Sequence, residues 1–167
     1  NIILKVQKRL KNTSLIVSGS HLSKNFGYTI DEILKGNTKN IIKVPILSKT
    51  SDDLSVAKTF SKAVDSVAKH LQKIKPSLFV VLGDRYEVLA ASISAMINRI
   101  PIAHIHGGES TFAQIDDAIR HSISKMSNFH FVSNKFYKNR LIKMGEEPKN
   151  IYVIGSLGVE NIKKLNF

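Results

Sequence analysis

Residues 101–110, Pro-Ile-Ala-His-Ile-His-Gly-Gly-Glu-Ser, set two histidines two apart, then a glycine pair and a carboxylate. On a strand alternate residues share a face, so His104 and His106 are expected to point the same way. Three chemistries suit such a stretch: a metal half-site, a phosphate cradle, or acid–base work on a sugar. His-x-His can begin a zinc site, but further ligands would have to come from Asp84, Glu109 or His121, none at a diagnostic spacing, so no metal is expected. A phosphate cradle fails as well, because the chain has neither Gly-x-Gly-x-x-Gly nor Gly-x-x-x-x-Gly-Lys-Ser/Thr. Acid–base chemistry remains.

Two more polar clusters join it. Gly83-Asp84-Arg85-Tyr86-Glu87 follows one apolar run, and Ser18-Gly19-Ser20-His21 follows another. In the segment Ile115-Asp-Asp-Ala-Ile-Arg-His, Asp116 and Arg120 are four apart, as are Asp117 and His121. On a helix each pair shares a face, and as plain surface pairs they would contribute only about 0.3–0.5 kcal/mol each. Ile115, Ala118, Ile119 and Ile123 are read as that helix's buried stripe. For Asp84 a helix N-cap is the ordinary role, and it is compatible with catalysis.

The elements that must position these residues alternate. Residues 14–18, 40–46, 77–82, 101–105, 129–132 and 150–154 are short and rich in β-branched and aromatic residues, as strands are. Phe79-Val80-Val81-Leu82 is apolar on both faces, which suits a parallel sheet covered by helices on both sides. Residues 52–74 carry Ala57, Phe60, Val64, Val67, Leu71 and Ile74 at helical steps, with Asp52 or Ser51 as cap and Pro76 beyond the end. Residues 85–98, 115–127 and 134–144 read as helices, 29–35 as a short one, and residues 2–10 also show a helical pattern. The order is that of a doubly wound α/β domain, in which ligands sit beyond the carboxyl ends of the strands. The three polar clusters fall at such ends.

The chain has 167 residues, 43% of them apolar, which suffices for one domain with a real core. A net charge of +12, from 25 Lys and Arg against 13 Asp and Glu, favours anionic partners. The lysines are scattered without an arginine-rich block, however, which argues against nucleic acid. No run approaches the ~18 apolar residues of a membrane span. The absence of cysteine excludes disulfides and thiolate ligands and fits the cytoplasm.

Taken together, VVLGDRYEVLAASISAMINRIPIAHIHGGE and IDDAIRHSISKMSNFHFVSN resemble the amino-terminal domain of the hydrolysing UDP-N-acetylglucosamine 2-epimerases, in the branch serving sialic and related nonulosonic acids. SGSHLSKNFGYTIDEI and MGEEPKNIYVIGSLGVENI extend the likeness over nearly the whole chain. The resemblance implies a Rossmann-like three-layer domain with a mainly parallel sheet, one half of a glycosyltransferase-B-like two-domain fold. Residues 1–155 would form it, lacking a first strand, and 156–167 would start the connection to a second domain. It implies anti elimination of UDP to a 2-acetamidoglucal, then syn addition of water with inversion at C2, without a cofactor. UDP-N-acetylglucosamine is the default substrate, with UDP-2,4-diacetamido-2,4,6-trideoxyhexoses as the other candidates.

By position, Asp84 and Asp116 match catalytic acids of the family, and Arg120 matches its substrate-contacting arginine. His106 stands where many members carry a catalytic glutamate, so either His106 or Glu109 takes that task. Arg85, His121, His21, Gly107 and Gly108 join the substrate-binding candidates. The implied partners are a UDP-sugar, the second domain and a second copy of the chain. Ala90, Ala91, Ala95 and Met96 suit either an interface with that copy or core packing. The fragment alone is expected to be inactive. A glycosyltransferase of the same architecture and a non-catalytic sugar-nucleotide-binding module are the alternatives.

Overall fold

A computed structural model of the chain describes residues 2–10, 12–36, 38–48, 52–111 and 115–156. It divides into two compact units, Asn1–Ser66 and Val67–Phe167. The expected connection from residue 156 onward lies, except for its first residue, outside the described residues, as does Ser51.

In the first unit, α1 (Ile2–Arg9) precedes β1 (Leu15–Ser18), which pairs in parallel with β2 (Ile41–Val44) in the register Leu15 to Ile41 through Ser18 to Val44. The crossover holds two short 3-10 turns, Gly19–Leu22 and Lys24–Phe26, and α2 (Ile30–Lys35). Val17, Ile30, Val44 and Ile46 are buried. Gln7 fastens the crossover, accepting from the Lys39 amide at 3.0 Å and donating to the Lys39 carbonyl at 2.7 Å.

The long helix α3 (Asp53–Ile74) starts in the first unit and ends in the second. Asp52 caps it, accepting from the Ser55 amide at 3.0 Å. Its buried row is Ser55, Thr59, Ala63, Val67 and Leu71, whereas Ala57 and Ile74 are exposed. The expected stripe is therefore shifted round the helix. Two polar residues can take buried positions because each is bonded: Ser55 to Asp52, and Thr59 Oγ1 to the Ser48 amide at 3.0 Å.

The second unit alternates β3 (Phe79–Leu82), α4 (Tyr86–Ile97), β4 (Ile102–Ile105), α5 (Asp116–Met126), β5 (Phe129–Val132), α6 (Lys135–Lys143) and β6 (Ile151–Val153). The strands are all parallel in the order β3-β4-β5-β6, with Phe79 opposite Ile102, Ala103 opposite Phe129 and His130 opposite Ile151. All six expected strands and the expected helices are present, with ends shifted by a few residues at most. Central β4 is buried at every residue. Edge strand β3 is not: Val80 and Leu82 are half exposed and only Val81 is buried, so this strand is not covered on both faces as expected.

On α4, Ala90 and Ala95 are fully buried, which assigns them to the core, while Met96 is half exposed. Buried Ser92 and Ser94 donate to the Val88 and Ala90 carbonyls at 2.8 and 2.9 Å. Val132, Leu141 and Ile151 form a core cluster, with Tyr137 and Met144 packed on it. Among the described residues, no helix is long and apolar enough to cross a membrane.

Candidate active site

The carboxyl end of β3 turns sharply at Gly83, whose φ of +88° favours glycine. The next residue, Asp84, does not cap α4. Arg85 holds the cap position and no side chain bonds the helix end there. The Asp84 carboxylate instead pairs with Arg120 of α5, and Arg120 also binds Asp117 at 2.9 Å. Arg120 is 4% exposed, and burial pulls its pKa downward. The guanidinium thus joins two carboxylates from different elements in a fork that lysine does not reproduce.

Asp117 does more than was expected of it. It accepts from the Thr111 amide at 2.9 Å and from Ser110 Oγ at 2.5 Å, tying the loop after β4 to the first turn of α5. Arg120 takes Asp117, three residues back, rather than Asp116, four back, so the expected Asp116–Arg120 pair does not form. Asp116 lies near enough to Arg85 to help raise its pKa, after the larger effect of Glu87, which Arg85 binds at 3.2 Å. His121 has a buried Nδ1 without a hydrogen-bond partner, and burial lowers its pKa. The α5 stripe is also narrower than expected. Ile119 and Ile123 are buried beside Arg120 and Ser124, whereas Ala118 is exposed and Ile115 is 68% exposed because the helix begins only after it.

The two histidines of the Pro101–Ser110 stretch take separate roles. The strand ends at Ile105, so its alternation stops before His106, which adopts φ +67°. His104 is fully buried between Ser124 Oγ, 3.1 Å from Nδ1, and the Gly83 carbonyl, 2.9 Å from Nε2. A carbonyl only accepts, so Nε2 carries the hydrogen and Nδ1 accepts from the serine hydroxyl. That arrangement is a neutral ring. Burial lowers its pKa to about 4, against the opposing pull of the Gly83 carbonyl. His104 therefore holds the peptide immediately before Asp84.

His106 Nδ1 lies 2.7 Å from Glu109 Oε1, and Ser133 Oγ, just past β5, donates to that same oxygen at 2.7 Å. The glycines between them have packing reasons of their own. A Cβ on Gly107 would come within 3.0 Å of both His104 Nδ1 and Ser124 Oγ. One on Gly108, at φ +70°, would meet Leu141 Cγ at 2.8 Å. The Gly108 carbonyl accepts from Arg140 Nη1 at 2.8 Å.

Asp84, Arg120, His106, Glu109 and the Gly107–Gly108 turn thus gather at the carboxyl ends of β3 and β4, with Arg85 at the start of α4 and Asp116 at the start of α5. His21 belongs to the first unit, exposed on the turn after β1 with Nδ1 2.7 Å from Thr29 Oγ1. The sequence reading missed the tasks of Asp117, Ser124 and Ser133. Ser133 was within reach, because it too directly follows a strand. Among the described residues, no cluster of three or more His, Asp or Glu side chains is placed to hold a metal.

Comparison with known proteins identifies the family and the fold. Residues 4–166 match the UDP-N-acetylglucosamine 2-epimerase family. The chain is 46% identical over 153 residues to a GDP/UDP-N,N'-diacetylbacillosamine 2-epimerase (hydrolyzing) of Campylobacter jejuni, covering 92% of this chain and 40% of that protein. It is 40% identical over 153 residues to the polysialic acid biosynthesis protein P7 of Escherichia coli, covering 91% of this chain and 39% of the relative. The chain thus spans under half the length of these relatives. Among solved structures, UDP-GlcNAc 2-epimerase from Neisseria meningitidis bound to UDP-GlcNAc superposes with a TM-score of 0.80 at 22% identity, over 98% of this chain and 46% of that one. A Listeria monocytogenes structure reaches 0.83 at 18% identity, over 99% of this chain and 44% of its own. The α/β fold is that of one half of these two-domain proteins.

Proposed function

Because the chain belongs to the UDP-N-acetylglucosamine 2-epimerase family, we propose that residues 1–155 form the amino-terminal domain of a hydrolysing UDP-sugar 2-epimerase, with 156–167 leading toward a second domain. The substrate is a UDP-linked 2-acetamido sugar. In the elimination the C2–H bond breaks, its electron pair forms the C1=C2 bond, and the C1–O pair leaves with UDP. Water oxygen then bonds C1 and a proton bonds C2 on that same face, the one opposite the face from which the C2 hydrogen left. No redox cofactor is called for, because the two steps together leave the oxidation level unchanged, and the proposed scheme uses no metal.

Inversion removes a proton from one face of C2 and returns one to the other, so the site needs two acid–base groups. Asp84 is one. Asp116 and the His106–Glu109 pair provide the rest of the acid–base set. Arg85, Arg120, His121 and the Gly107–Gly108 backbone contribute to holding substrate or to placing these groups. One observation carries the reading: the Asp84 carboxylate, free of any helix-capping task, is turned to buried Arg120 beside the His106–Glu109 loop.

Similarity to the Campylobacter jejuni protein, named for GDP/UDP-N,N'-diacetylbacillosamine, favours a 2,4-diacetamido-2,4,6-trideoxyhexose over N-acetylglucosamine as the sugar. The likeness to a polysialic acid biosynthesis protein supports a product on the way to nonulosonic acids. A chain without cysteine suits a reducing compartment, and the activity is assigned to the cytoplasm. The test incubates the two-domain protein with each UDP-sugar and identifies the released monosaccharide. The expected products are UDP and the 2-epimerised free sugar, with none from the 167-residue chain alone. Asp84→Asn should lower kcat by about 100-fold or more. Failure to release UDP from either sugar, or an undiminished Asp84→Asn variant, overturns the proposal.

A further inference from the structure

We propose, resting on that reading, that His106 and Glu109 form a dyad in which His106 Nε2 is the second acid–base group at C2 and Glu109 is a positioning residue acting through it. The argument starts from one oxygen. Glu109 Oε1 lies 2.7 Å from His106 Nδ1 and accepts from Ser133 Oγ at the same distance. An oxygen that receives two donors is the acceptor in both contacts, so Nδ1 carries the hydrogen. In the neutral ring the lone pair is then on Nε2, which bonds no described residue. When Nε2 takes a proton, the imidazolium that results faces a carboxylate already in place.

The backbone holds this arrangement against its own preference. His106 sits at φ +67°, a region few side chains adopt, though histidine does so more readily than most. Three ties keep it there. The His106 amide donates to the Phe131 carbonyl at 2.9 Å. Gly107 is close against His104 and Ser124, and Arg140 grips the Gly108 carbonyl at 2.8 Å. A strained residue held by surrounding structure, next to a charged partner and 24% exposed at its side chain, is placed for chemistry rather than for packing. The dyad also explains why a histidine can stand in this loop at all. A carboxylate is a base on either oxygen, whereas an imidazole must first have its tautomer set.

The test is a cycle in the two-domain enzyme with Glu109→Gln, His106→Glu and the double variant, read as kcat and KM for UDP release. Glu109→Gln alone should lower kcat about 10- to 100-fold with KM little changed. His106→Glu brings its own base and should stay within about tenfold of the parent. Adding Glu109→Gln to it should then cost no more than about threefold, because the residue Glu109 serves is gone. Equal losses in both backgrounds would show that Glu109 acts by itself or merely supports the loop, and would overturn the dyad.

Nitrogen-15 NMR of labelled imidazoles gives an independent readout in the same protein. Neutral His106 should carry its hydrogen on Nδ1, and Glu109→Gln should move population toward the Nε2–H tautomer. Finding Nε2–H in the unaltered protein refutes the dyad, even if His106→Glu fails to fold. An unaltered protein that releases no UDP but shows the Nδ1–H tautomer refutes the epimerase reading and leaves the pairing itself upheld.

Discussion

Replacing His104 with glutamine should flatten the acid destabilisation of the protein between pH 6.5 and about 4. The ring is fully buried, and its folded pKa is about 4 against an ordinary 6.5. Above pH 6.5 it is neutral in both states and adds nothing to the pH dependence. Below that, the unfolded chain takes up a proton that the folded chain refuses, and stability falls as pH drops. The slope is about 1.4 kcal/mol per pH unit until the folded ring also protonates, a total of about 3 kcal/mol. Glutamine does not titrate, yet it can donate to the Gly83 carbonyl and accept from Ser124.

With poorer geometry at two hydrogen bonds, the glutamine variant should be less stable by about 1–2 kcal/mol at pH 7. By pH 4 it should be the more stable protein by about the same amount, and the two curves should cross near pH 5.5. Urea unfolding followed by circular dichroism from pH 4 to 7.5 measures this. His121 and His130, whose pKa values burial also lowers, are present in both proteins and largely cancel in the difference. Parallel curves would mean that His104 is not a neutral buried ring holding the Gly83 peptide.

Alanine at Gly108 should cost about 2–3 kcal/mol, because its φ of +70° is joined by a Cβ contact of 2.8 Å with Leu141. At Gly83, where φ is +88° but nothing lies within 4 Å of the added carbon, the cost should be only about 1 kcal/mol; equal losses in urea titrations would refute the packing argument. Arg120→Met strands Asp84 and takes one of several partners from Asp117, and since these are 24% and 23% exposed, water relieves part of the penalty, leaving about 1–3 kcal/mol. A variant as stable as the parent would show that the fork is not holding the site together. Asn134→Ala removes the cap that accepts from the Tyr137 amide at 3.1 Å and should lower the unfolding free energy by about 1 kcal/mol.

What the sequence made legible was set by short-range chemistry. The strands announce themselves through runs such as Phe-Val-Val-Leu and Phe-His-Phe-Val, and α3 through its helical steps and Asp52. The clustering of Asp84, His106 and Glu109 followed from their common place after parallel strands. Errors arose where a polar group was satisfied by a partner that hydropathy does not reveal. Ser55 and Thr59 occupy the buried row of α3 because Asp52 and the Ser48 amide bond them, and no hydropathy pattern records that. Arg120 lies in the interior beside Ile119 and Ile123 because Asp84 arrives from another crossover. His106 left the strand face because the turn begins one residue earlier than the alternation suggests.

The departures at the site share one cause. The loops after β3 and β4 are each held by side chains that other parts of the second unit supply. His104 of β4 binds the Gly83 carbonyl after β3, and Arg120 of α5 takes Asp84 beside it. Ser133 past β5 binds Glu109 after β4, and Arg140 of α6 holds the Gly108 carbonyl in the same turn. Local propensity cannot place such groups, because every tie crosses between elements. Docking α5, α6 and the end of β5 against these loops is thus what aligns the two that are proposed to carry the acid–base groups. A rigid scaffold that places reacting groups before substrate arrives is how the fold would lower the barrier for a proton on carbon.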